Sequence, residues 1–294
     1  MTSAAPAAGG ILRARAHAFA WGEGIRPHLM AIVNATPDSF SDGGLHADPL
    51  AAAAFAESCA ADGAVILDVG GESTRPGASR VSAAEQRART EPVVRALARG
   101  HAVSIDTTLA EVASAALEAG ACMVNDVSGA TEDPAMLDAV AASGAAIVLM
   151  HRRFAPDADR WSTERDERRP VGDVVREVRD WLGGRVDAAV RAGVARDCIA
   201  IDPGFGFGKD VEQNLAMLRS IGEFSSLGVP VLAGLSRKSF LGAVAGQPEP
   251  AARDAASIGA ALAAAARGAA ILRVHAVRAH ADALAGWFGS GVRG

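Results

Sequence analysis

The chain of 294 residues contains no tyrosine, and only two of its 29 basic residues, Lys209 and Lys238, are lysines. The absence of tyrosine excludes a phenol from any catalytic scheme. Every other basic side chain is arginine, so the two lysines are exceptions to a strong bias. Because lysine carries a compact, strongly hydrated ammonium rather than a planar fork, we predict that a retained lysine stands where that group is required.

Cysteine is scarce and long apolar runs are missing. Cys59, Cys122 and Cys198 are odd in number, far apart and in no C-x-x-C arrangement, which argues against a disulfide framework and against a zinc site. No apolar run approaches the roughly 18 residues of a membrane span, and no basic segment precedes a signal-like core. We therefore expect a soluble cytoplasmic protein with no membrane partner.

Positive charge is also not in excess. The formal net charge is −5, with both signs interspersed along the chain, so there is no basic stripe of the kind that binds nucleic acid. Any anionic ligand must then be held by a local cluster of cations. Half of the residues are hydrophobic, which is enough for one large core.

Short apolar runs rich in β-formers alternate with longer alanine-rich amphipathic stretches, the pattern of β-α-β units around a parallel sheet. The predicted strands are Leu29–Val33, Val65–Val69, Ala102–Ile105, Met123–Asn125, Ala146–Met150, Ile199–Asp202, Val229–Leu235 and Ile271–Val274. The predicted helices are Asp48–Ala61, Ser82–Ala98, Leu109–Ala119, Pro134–Ala142, Val174–Ala192, Val211–Ile221, Asp254–Arg267 and Val277–Phe288.

Eight repeats of strand and helix predict an α/β protein with a closed (β/α)8 TIM barrel, whose usual size of roughly 250 residues fits the chain. An open doubly wound sheet fits the same pattern less economically. We expect one barrel domain over residues 21–294, preceded by a poorly ordered extension over residues 1–20. The segment before Leu29 is extra to the barrel and could cap its bottom.

Polar residues stand at the end of every predicted strand. They are Asn34, Asp68, Asp106, Asn125, Asp126, His151, Asp202, Ser236, Arg237, Lys238, Arg273 and His275. Unpaired carboxylates at the ends of buried strands are costly, and a single one, such as Asp106 before two threonines, could simply cap a helix. A whole ring of them predicts a functional site at the mouth of the barrel, where TIM barrels build their active sites.

The last strand offers a possible anion grip. Arg273 and His275 are two residues apart and so point to the same side of the strand, where they could hold a phosphate by the arginine fork and an imidazole N–H. Lys238 falls in the sector of strands seven and eight, where barrels commonly hold phosphates. A salt bridge at the rim of the barrel is the alternative interpretation of this pair.

Two glycine-rich connections and two long ones also follow strands. The run from Asp202 to Lys209 carries Phe205 and Phe207, which could flank a flat ring or close over the core. Its G-x-G-x-G pattern is not the dinucleotide fingerprint, so we exclude a nicotinamide cofactor. The connections Asn34–Ala47 and Gly70–Arg80 exceed the usual two to six residues and come where a barrel places its site loops.

Several of these stretches closely resemble the motifs of the dihydropteroate synthase family, in the family's order and from about Met30 to Phe288. They are Met30–Gly44, Asp68–Gly77, Ser104–Thr107, Val124–Ser128, Ile201–Lys209, Gly234–Ser239 and Arg273–His275. The resemblance implies an enzyme that joins 6-hydroxymethyl-7,8-dihydropterin diphosphate to p-aminobenzoate and releases diphosphate, working with Mg²⁺ and as a homodimer.

The resemblance also implies roles for particular residues. The pterin would be held by Asp106, Asn125, Asp202 and Lys238. The diphosphate would be taken by Asn34, Arg273 and His275, with Asn34 also a ligand of Mg²⁺. The p-aminobenzoate site, where sulfonamides compete, would be lined by Thr74, Arg75, Pro76, Phe207 and Ser236. The residues expected to take part in catalysis are Lys238, Asp106, Asp202, Arg273 and His275.

The sequence departs from the family pattern at three places. The Met-His stretch usually continues with Met-x-Gly but here reads Met150-His151-Arg152-Arg153-Phe154. Ala276 replaces the usual aspartate after Arg-Val-His, and Thr108-Leu109 replaces the usual Ser-Lys. None of these changes removes an expected ligand. Two other functions stay open: a methyltransferase acting between methyltetrahydrofolate and a corrinoid protein, and a catalytically silent pterin-binding paralogue.

Overall fold

Eight parallel strands form the centre of the molecule in a computed structural model that describes residues 9–36, 49–164 and 173–291. The strands are β3 (His28–Asn34), β4 (Ile66–Gly70), β5 (Ala102–Asp106), β6 (Met123–Asp126), β7 (Ala146–Met150), β8 (Ile199–Asp202), β9 (Leu232–Ala233) and β10 (Ile271–Val274), preceded by a hairpin of β1 (Gly10–Ala14) and β2 (His17–Trp21). The sheet order is β8-β7-β6-β5-β4-β3-β10-β9. A bridge between Ile201 and Val231 joins its two edges, so the predicted closed barrel is confirmed.

Helices follow the strands and cover the outside of the barrel. They are α1 (Pro49–Ala61), α2 (Ala83–Leu97), α3 (Ala110–Ala119), α4 (Met136–Ser143), α5 (Val174–Arg191), α6 (Val211–Arg219), α7 (Ile221–Ser225), α8 (Ser239–Ala245), α9 (Asp254–Ala265) and α10 (Val277–Gly289). Within these described ranges, we find no helix with the length and apolarity that a membrane crossing requires.

Alternation along the strands decides which side chains enter the barrel. On β3, Leu29 and Val33 belong to the large core between sheet and helices, whereas Met30 belongs to a separate cluster inside the barrel. Because side chains alternate with a period of two, Asn34 shares the inner side with Met30. The same alternation puts Asp68, Asp106, Asn125, Asp202 and Arg273 on the inner side, at one rim, whereas Asp126 and His151 are out of phase with it.

Most predicted elements are confirmed, and the differences are local. β7, β8 and β10 have the predicted bounds, but only Leu232–Ala233 of the predicted strand Val229–Leu235 is a strand. The predicted helix Val211–Ile221 is two helices, α6 and α7, which meet at Ser220. Helix α8 was not predicted, because a stretch of seven residues is too short to show a helical repeat of apolar side chains.

The N-terminal hairpin closes the bottom of the barrel. Leu12, Phe19 and Trp21 are buried in one cluster with Met30 and Ile271 of the barrel interior. The expectation of poor order over residues 1–20 is therefore wrong for residues 10–20, because apolar side chains spaced by two in each strand have a barrel floor to cover. Residues 1–8 lie outside the described ranges.

Candidate active site

Two carboxylates meet the guanidinium of Arg273 inside the barrel mouth. Arg273 Nε lies 2.6 Å from Asp68 Oδ2, and its Nη2 lies 2.7 Å from Asp106 Oδ2. Asn125 donates to the same Asp68 oxygen at 3.0 Å. The strand register brings these residues together, since β4, β5 and β6 are neighbours and Asp106 aligns with Asn125. The chain thus places one cation between two carboxylates from different strands.

The second oxygen of each carboxylate is left without a partner. Asp68 Oδ1 and Asp106 Oδ1 are buried and accept no hydrogen bond from the described residues. Leaving a buried polar atom unsatisfied costs about 1–3 kcal/mol, so such atoms are unusual in a native fold. We interpret them as the acceptors of a ligand that carries N–H donors.

Burial sets the protonation of this cluster. It raises the pKa of Asp106 to about 7, against the opposing charge of Arg273 and together with the nearby negative charges of Asp68, Asp126 and Glu72. Near neutral pH, Asp106 therefore populates both its protonated and its ionised form, as expected of a group that exchanges hydrogen bonds with a ligand.

Asp202 and Lys238 form the opposite side of the mouth. Asp202 Oδ1 accepts a 2.6 Å hydrogen bond from the Gly204 amide, and burial raises the pKa of this carboxyl against that bond and the charge of Lys238. The ammonium of Lys238 lies 4.1 Å from the centre of the Phe207 ring. Burial lowers the pKa of Lys238 to about 8, although Asp202 opposes the shift.

A small apolar cluster lies apart from the main core. It consists of Val127, Met150 and Phe207, which belong to the ends of β6 and β7 and to the loop after β8. With Asp106 and Asp202 at neighbouring strand ends, this surface combines a hydrophobic wall with polar edge groups, the combination that binds a flat heterocycle. From the sequence we named only Phe207 as part of this surface. Val127 and Met150 could have been identified from their positions at the ends of predicted strands.

His275 and Ser236 contact each other. Ser236 Oγ is 2.9 Å from His275 Nδ1 and accepts a 3.2 Å hydrogen bond from the His275 amide. Burial, reinforced by Arg237, Arg273 and Arg75, lowers the pKa of His275 to about 3. The ring is thus neutral at physiological pH, so it can hold a phosphate oxygen by an N–H hydrogen bond but not by charge.

The structure differs in one respect from the predicted phosphate site. The guanidinium of Arg273 is hydrogen-bonded to Asp68 and Asp106, so it does not form an unoccupied anion site together with His275. Asp68 was visible in the sequence only as one of many polar strand ends. Its partnership with Arg273 depends on two residues 205 positions apart, which local pattern does not reveal.

The remaining predicted residues lie on the loops of the same rim. Thr74 and Pro76 are half-buried and Arg75 is exposed in the loop after β4. Asn34 is half-buried at the end of β3, beside Gly70 of β4. Residues 37–48 of the long first loop and residues 165–172, which precede α5, lie outside the described ranges.

Lys209, the other lysine, supports the glycine-rich loop. Its buried Nζ donates to the carbonyls of His151, Gly204 and Phe207 at 3.1, 2.8 and 3.1 Å. Gly204 has φ +71°, and a Cβ there would overlap the same His151 carbonyl. A compact ammonium with three donors suits this position, as the scarcity of lysine suggested, but the role is to hold the loop and not to bind the ligand directly.

We expect Lys209→Met to lower the free energy of unfolding by about 1–2 kcal/mol, because three buried carbonyls lose their shared donor. Urea unfolding followed by circular dichroism measures the change. Arg219→Met is the matched control, since Arg219 and its partner Glu212 are both largely exposed and such pairs contribute about 0–1 kcal/mol. Equal effects of the two substitutions would contradict the supporting role of Lys209.

Comparison with known proteins agrees with this geometry. The model of a family described as pterin binding enzyme matches residues 30–275. The dihydropteroate synthase of Synechocystis sp. is 45% identical over 266 residues, which cover 90% of this chain and 89% of the relative. The solved dihydropteroate synthase of Xanthomonas albilineans with 4-aminobenzoic acid is 43% identical, with a TM-score of 0.87 over 97% of this chain and 99% of that chain. A structure from the same organism in complex with 7,8-dihydropteroate is 40% identical, with a TM-score of 0.82 over 96% and 99% of the two chains.

Proposed function

The chain belongs to the pterin-binding enzyme family and, within it, to the dihydropteroate synthases, and we propose that its barrel mouth carries out their reaction. It is an enzyme that joins 6-hydroxymethyl-7,8-dihydropterin diphosphate to p-aminobenzoate, giving 7,8-dihydropteroate and diphosphate in folate synthesis. The observation that carries the assignment to this site is the pair of buried, unpartnered carboxylate oxygens on Asp68 and Asp106.

The pterin fits between the polar groups and the apolar wall. Its amino-pyrimidine edge has N–H donors for Asp106 and Asp202 and acceptors for Asn125 and Lys238. Its flat ring would lie against Val127, Met150 and Phe207, which form one buried cluster. A site built to satisfy every edge group rejects analogues that lack one, because the protein group left behind is then unpaired in a buried place.

The reaction needs departure of diphosphate and attack by an amine. The bond between the pterin methylene carbon and the diphosphate oxygen breaks with its electron pair on the diphosphate. The cationic methylene then accepts the nitrogen lone pair of p-aminobenzoate, and the nitrogen loses a proton. No protein nucleophile is required, so the residues serve by placing the reactants and by stabilising charge.

The diphosphate and the arylamine would occupy adjoining parts of the rim. His275 would hold a phosphate oxygen through its neutral ring, and Ser236, with which it is in contact, would face the p-aminobenzoate. Thr74, Arg75 and Pro76 would close the other side of that site. The loops exclude water, which would otherwise capture the cationic methylene.

Mg²⁺ fits this donor set as a partner of the diphosphate. No group of three or more histidine, cysteine, aspartate or glutamate side chains that could hold a metal occurs in the described ranges. Mg²⁺ usually keeps several waters and takes one or two protein oxygens together with substrate phosphates, so the Asn34 amide oxygen at the end of β3 is a sufficient protein ligand. When bound, the ion would neutralise charge on the leaving diphosphate.

We extend the proposal to two properties of the whole molecule. The dihydropteroate synthase resemblance supports a homodimer and a cytoplasmic location.

The decisive experiment is to incubate the purified protein with hydroxymethyl-dihydropterin diphosphate, p-aminobenzoate and Mg²⁺ and to follow both products by chromatography. We expect equal amounts of dihydropteroate and diphosphate, and their loss in Asp202→Ala. No product above the blank would instead favour a silent pterin-binding paralogue. Diphosphate without dihydropteroate would show hydrolysis and would contradict the assignment of the arylamine site.

A further inference from the structure

A chain of ion pairs connects three loops at the barrel mouth. Its members are Glu72, Arg80, Glu132 and Arg152, and we call it the ion-pair chain. Arg80 lies 3.4 Å from Glu72 and 3.0 Å from Glu132, and the other oxygen of Glu132 lies 3.0 Å from Arg152. Glu72 and Arg80 belong to the loop between β4 and α2, Glu132 to the loop after β6, and Arg152 to the loop after β7. The ion-pair chain therefore connects the loop between β4 and α2 to the loops after β6 and β7.

Arg152 is the most buried member of the ion-pair chain. Its side chain is only 8% exposed, compared with 37% for Arg80 and 26% for Glu132. Its Nη1 atom is buried without a hydrogen-bond partner in the parts of the chain that are described. Breaking a buried ion pair by removing one partner is strongly destabilising because the other charge is left unpaired, so Arg152 and Glu132 hold each other firmly.

The electrostatics of Glu132 agree with this geometry. Burial by itself raises the pKa of Glu132, but the hydrogen bond from Thr108 and the charges of Arg152 and Arg80 outweigh it and leave the pKa below its ordinary value. Glu132 therefore stays ionised at neutral pH and can bridge the two arginines.

The loop between β4 and α2 is also attached at its base and at its tip. At its base, Glu72 accepts hydrogen bonds of 2.8 Å from the Val81 amide and the Gln86 side chain. At its tip, the Gly77 amide donates to the Pro156 carbonyl of the loop after β7 at 2.8 Å. The base is thus closed within the loop's own segment, whereas the tip depends on the neighbouring loop that Arg152 begins.

A cleft lies beneath this loop. It is lined mostly by polar side chains, among them Thr74, Asp106 and Arg152. The ion-pair chain and the hydrogen bond from the Gly77 amide to the Pro156 carbonyl are contacts that join this loop to the loops after β6 and β7.

We propose that Arg152, acting through Glu132 and Arg80, is a positioning residue that holds the β4–α2 loop so that Thr74, Arg75 and Pro76 face p-aminobenzoate. The inference rests on the proposed function for the role of those three residues. Arg152 also stands where the sequence departs from the family pattern.

The test measures loop protection and substrate use in Arg152→Met, which keeps the length of the side chain but removes its charge. We expect hydrogen exchange of the Gly77 amide to become about tenfold faster, because the local opening that exposes this amide costs less free energy once the ion pair between Arg152 and Glu132 is lost. We expect the KM for p-aminobenzoate to rise about tenfold while kcat changes less than about twofold, since a small misplacement of a binding loop weakens encounter with one substrate. The Kd for the pterin diphosphate should stay within about twofold.

Four further variants keep the test decisive. Glu132→Gln breaks the same contact with little change of shape and should reproduce both effects, and it replaces Arg152→Met if that variant does not fold. The double variant should add little to either single one, because the contact is already lost. Arg152→Lys keeps the positive charge and should therefore show only part of the increase in exchange rate and in KM. Arg179→Met, which breaks a pair between sequence neighbours on α5, should change neither readout.

The outcomes separate the inference from the proposed function. Unchanged exchange at Gly77 in Arg152→Met and Glu132→Gln would overturn the inference, whatever the kinetics. Faster exchange with an unchanged KM for p-aminobenzoate would overturn it as well, because the loop would then be held without serving that substrate. A weaker Kd for the pterin diphosphate equal to the loss for p-aminobenzoate would show that Arg152 acts on the whole site. A wild type without product would defeat the proposed function alone, while the exchange data would still judge the holding of the loop.

Discussion

Arg273→Met is expected to lower the free energy of unfolding by about 3–5 kcal/mol, the usual cost of removing one partner from a buried ion pair. The substitution leaves Asp68 and Asp106 buried, 0% and 6% exposed, with no cation between them. It is also expected to weaken pterin binding, since the carboxylates that face the ligand lose the group that fixes their positions. Urea unfolding and calorimetric pterin titration measure the two effects.

The loss of stability should depend on pH in a defined direction. Burial already raises the pKa of Asp106 to about 7 in the folded protein, and Arg273 opposes that shift, so the variant must have a still higher pKa at Asp106. A carboxyl whose folded pKa is raised lowers stability progressively as pH rises from its unfolded pKa, about 4, to its folded pKa, and no further above that value. Wild type and variant therefore lose this part of their stability in parallel up to about pH 7, and we expect the gap between them to widen above that pH.

Arg278→Met is the matched control, because Arg278 pairs with Asp62 at the surface and both are largely exposed. It should change stability by less than about 1 kcal/mol at any pH. A loss for Arg273→Met that is the same at pH 5 and pH 9 would contradict the proposed charge balance at Asp106.

Lys238→Arg is expected to weaken pterin binding by about 10- to 100-fold, or about 1.4–2.8 kcal/mol, although the charge is kept. The stem of Lys238 is packed so closely that a Cβ on Gly206 would lie 3.1 Å from its Cδ. The ammonium sits over Phe207 at 4.1 Å, and a planar, larger guanidinium cannot take the same place without moving the ring or the glycine-rich loop.

Titration calorimetry with hydroxymethylpterin, which lacks phosphates, isolates this effect from diphosphate binding. The wild-type affinity should fall as pH rises through about 8, where Lys238 loses its proton. The arginine variant keeps its charge and should show no such fall. Lys238→Met removes both charge and hydrogen bond and should bind more weakly than either. Wild-type affinity in Lys238→Arg would show that only the charge matters.

The sequence could place most of the site because of a property of parallel barrels. All eight strands end at one rim, so a polar residue at the end of any strand lies near all the others. This is why the polar strand-end residues could be expected to meet without any knowledge of contacts, while the choice of Asp106, Asn125, Asp202 and Lys238 as the pterin site came from the family resemblance. Alternation along each strand then fixed which of them face inward.

Local pattern failed where an element was short or its partner distant. The strand Leu232–Ala233 has only two residues. The apolar run Val229–Leu235 suggested a strand of seven residues, but its apolar side chains are buried by closure of the barrel and not by a longer strand. The order of the N-terminal hairpin was not predicted, because it depends on apolar side chains that cover the floor of a barrel formed by residues far along the chain.

The sequence by itself thus determined the barrel, the rim and the chemical character of the site, because strand periodicity and the direction of parallel strands are local properties. Only the tertiary structure decided that Arg273 binds Asp68 and Asp106, that Lys209 holds a loop while Lys238 faces the ligand, and that Arg152 joins the ion-pair chain. Those contacts unite residues far apart in the chain, and closure of the barrel is what brings their charges within bonding distance.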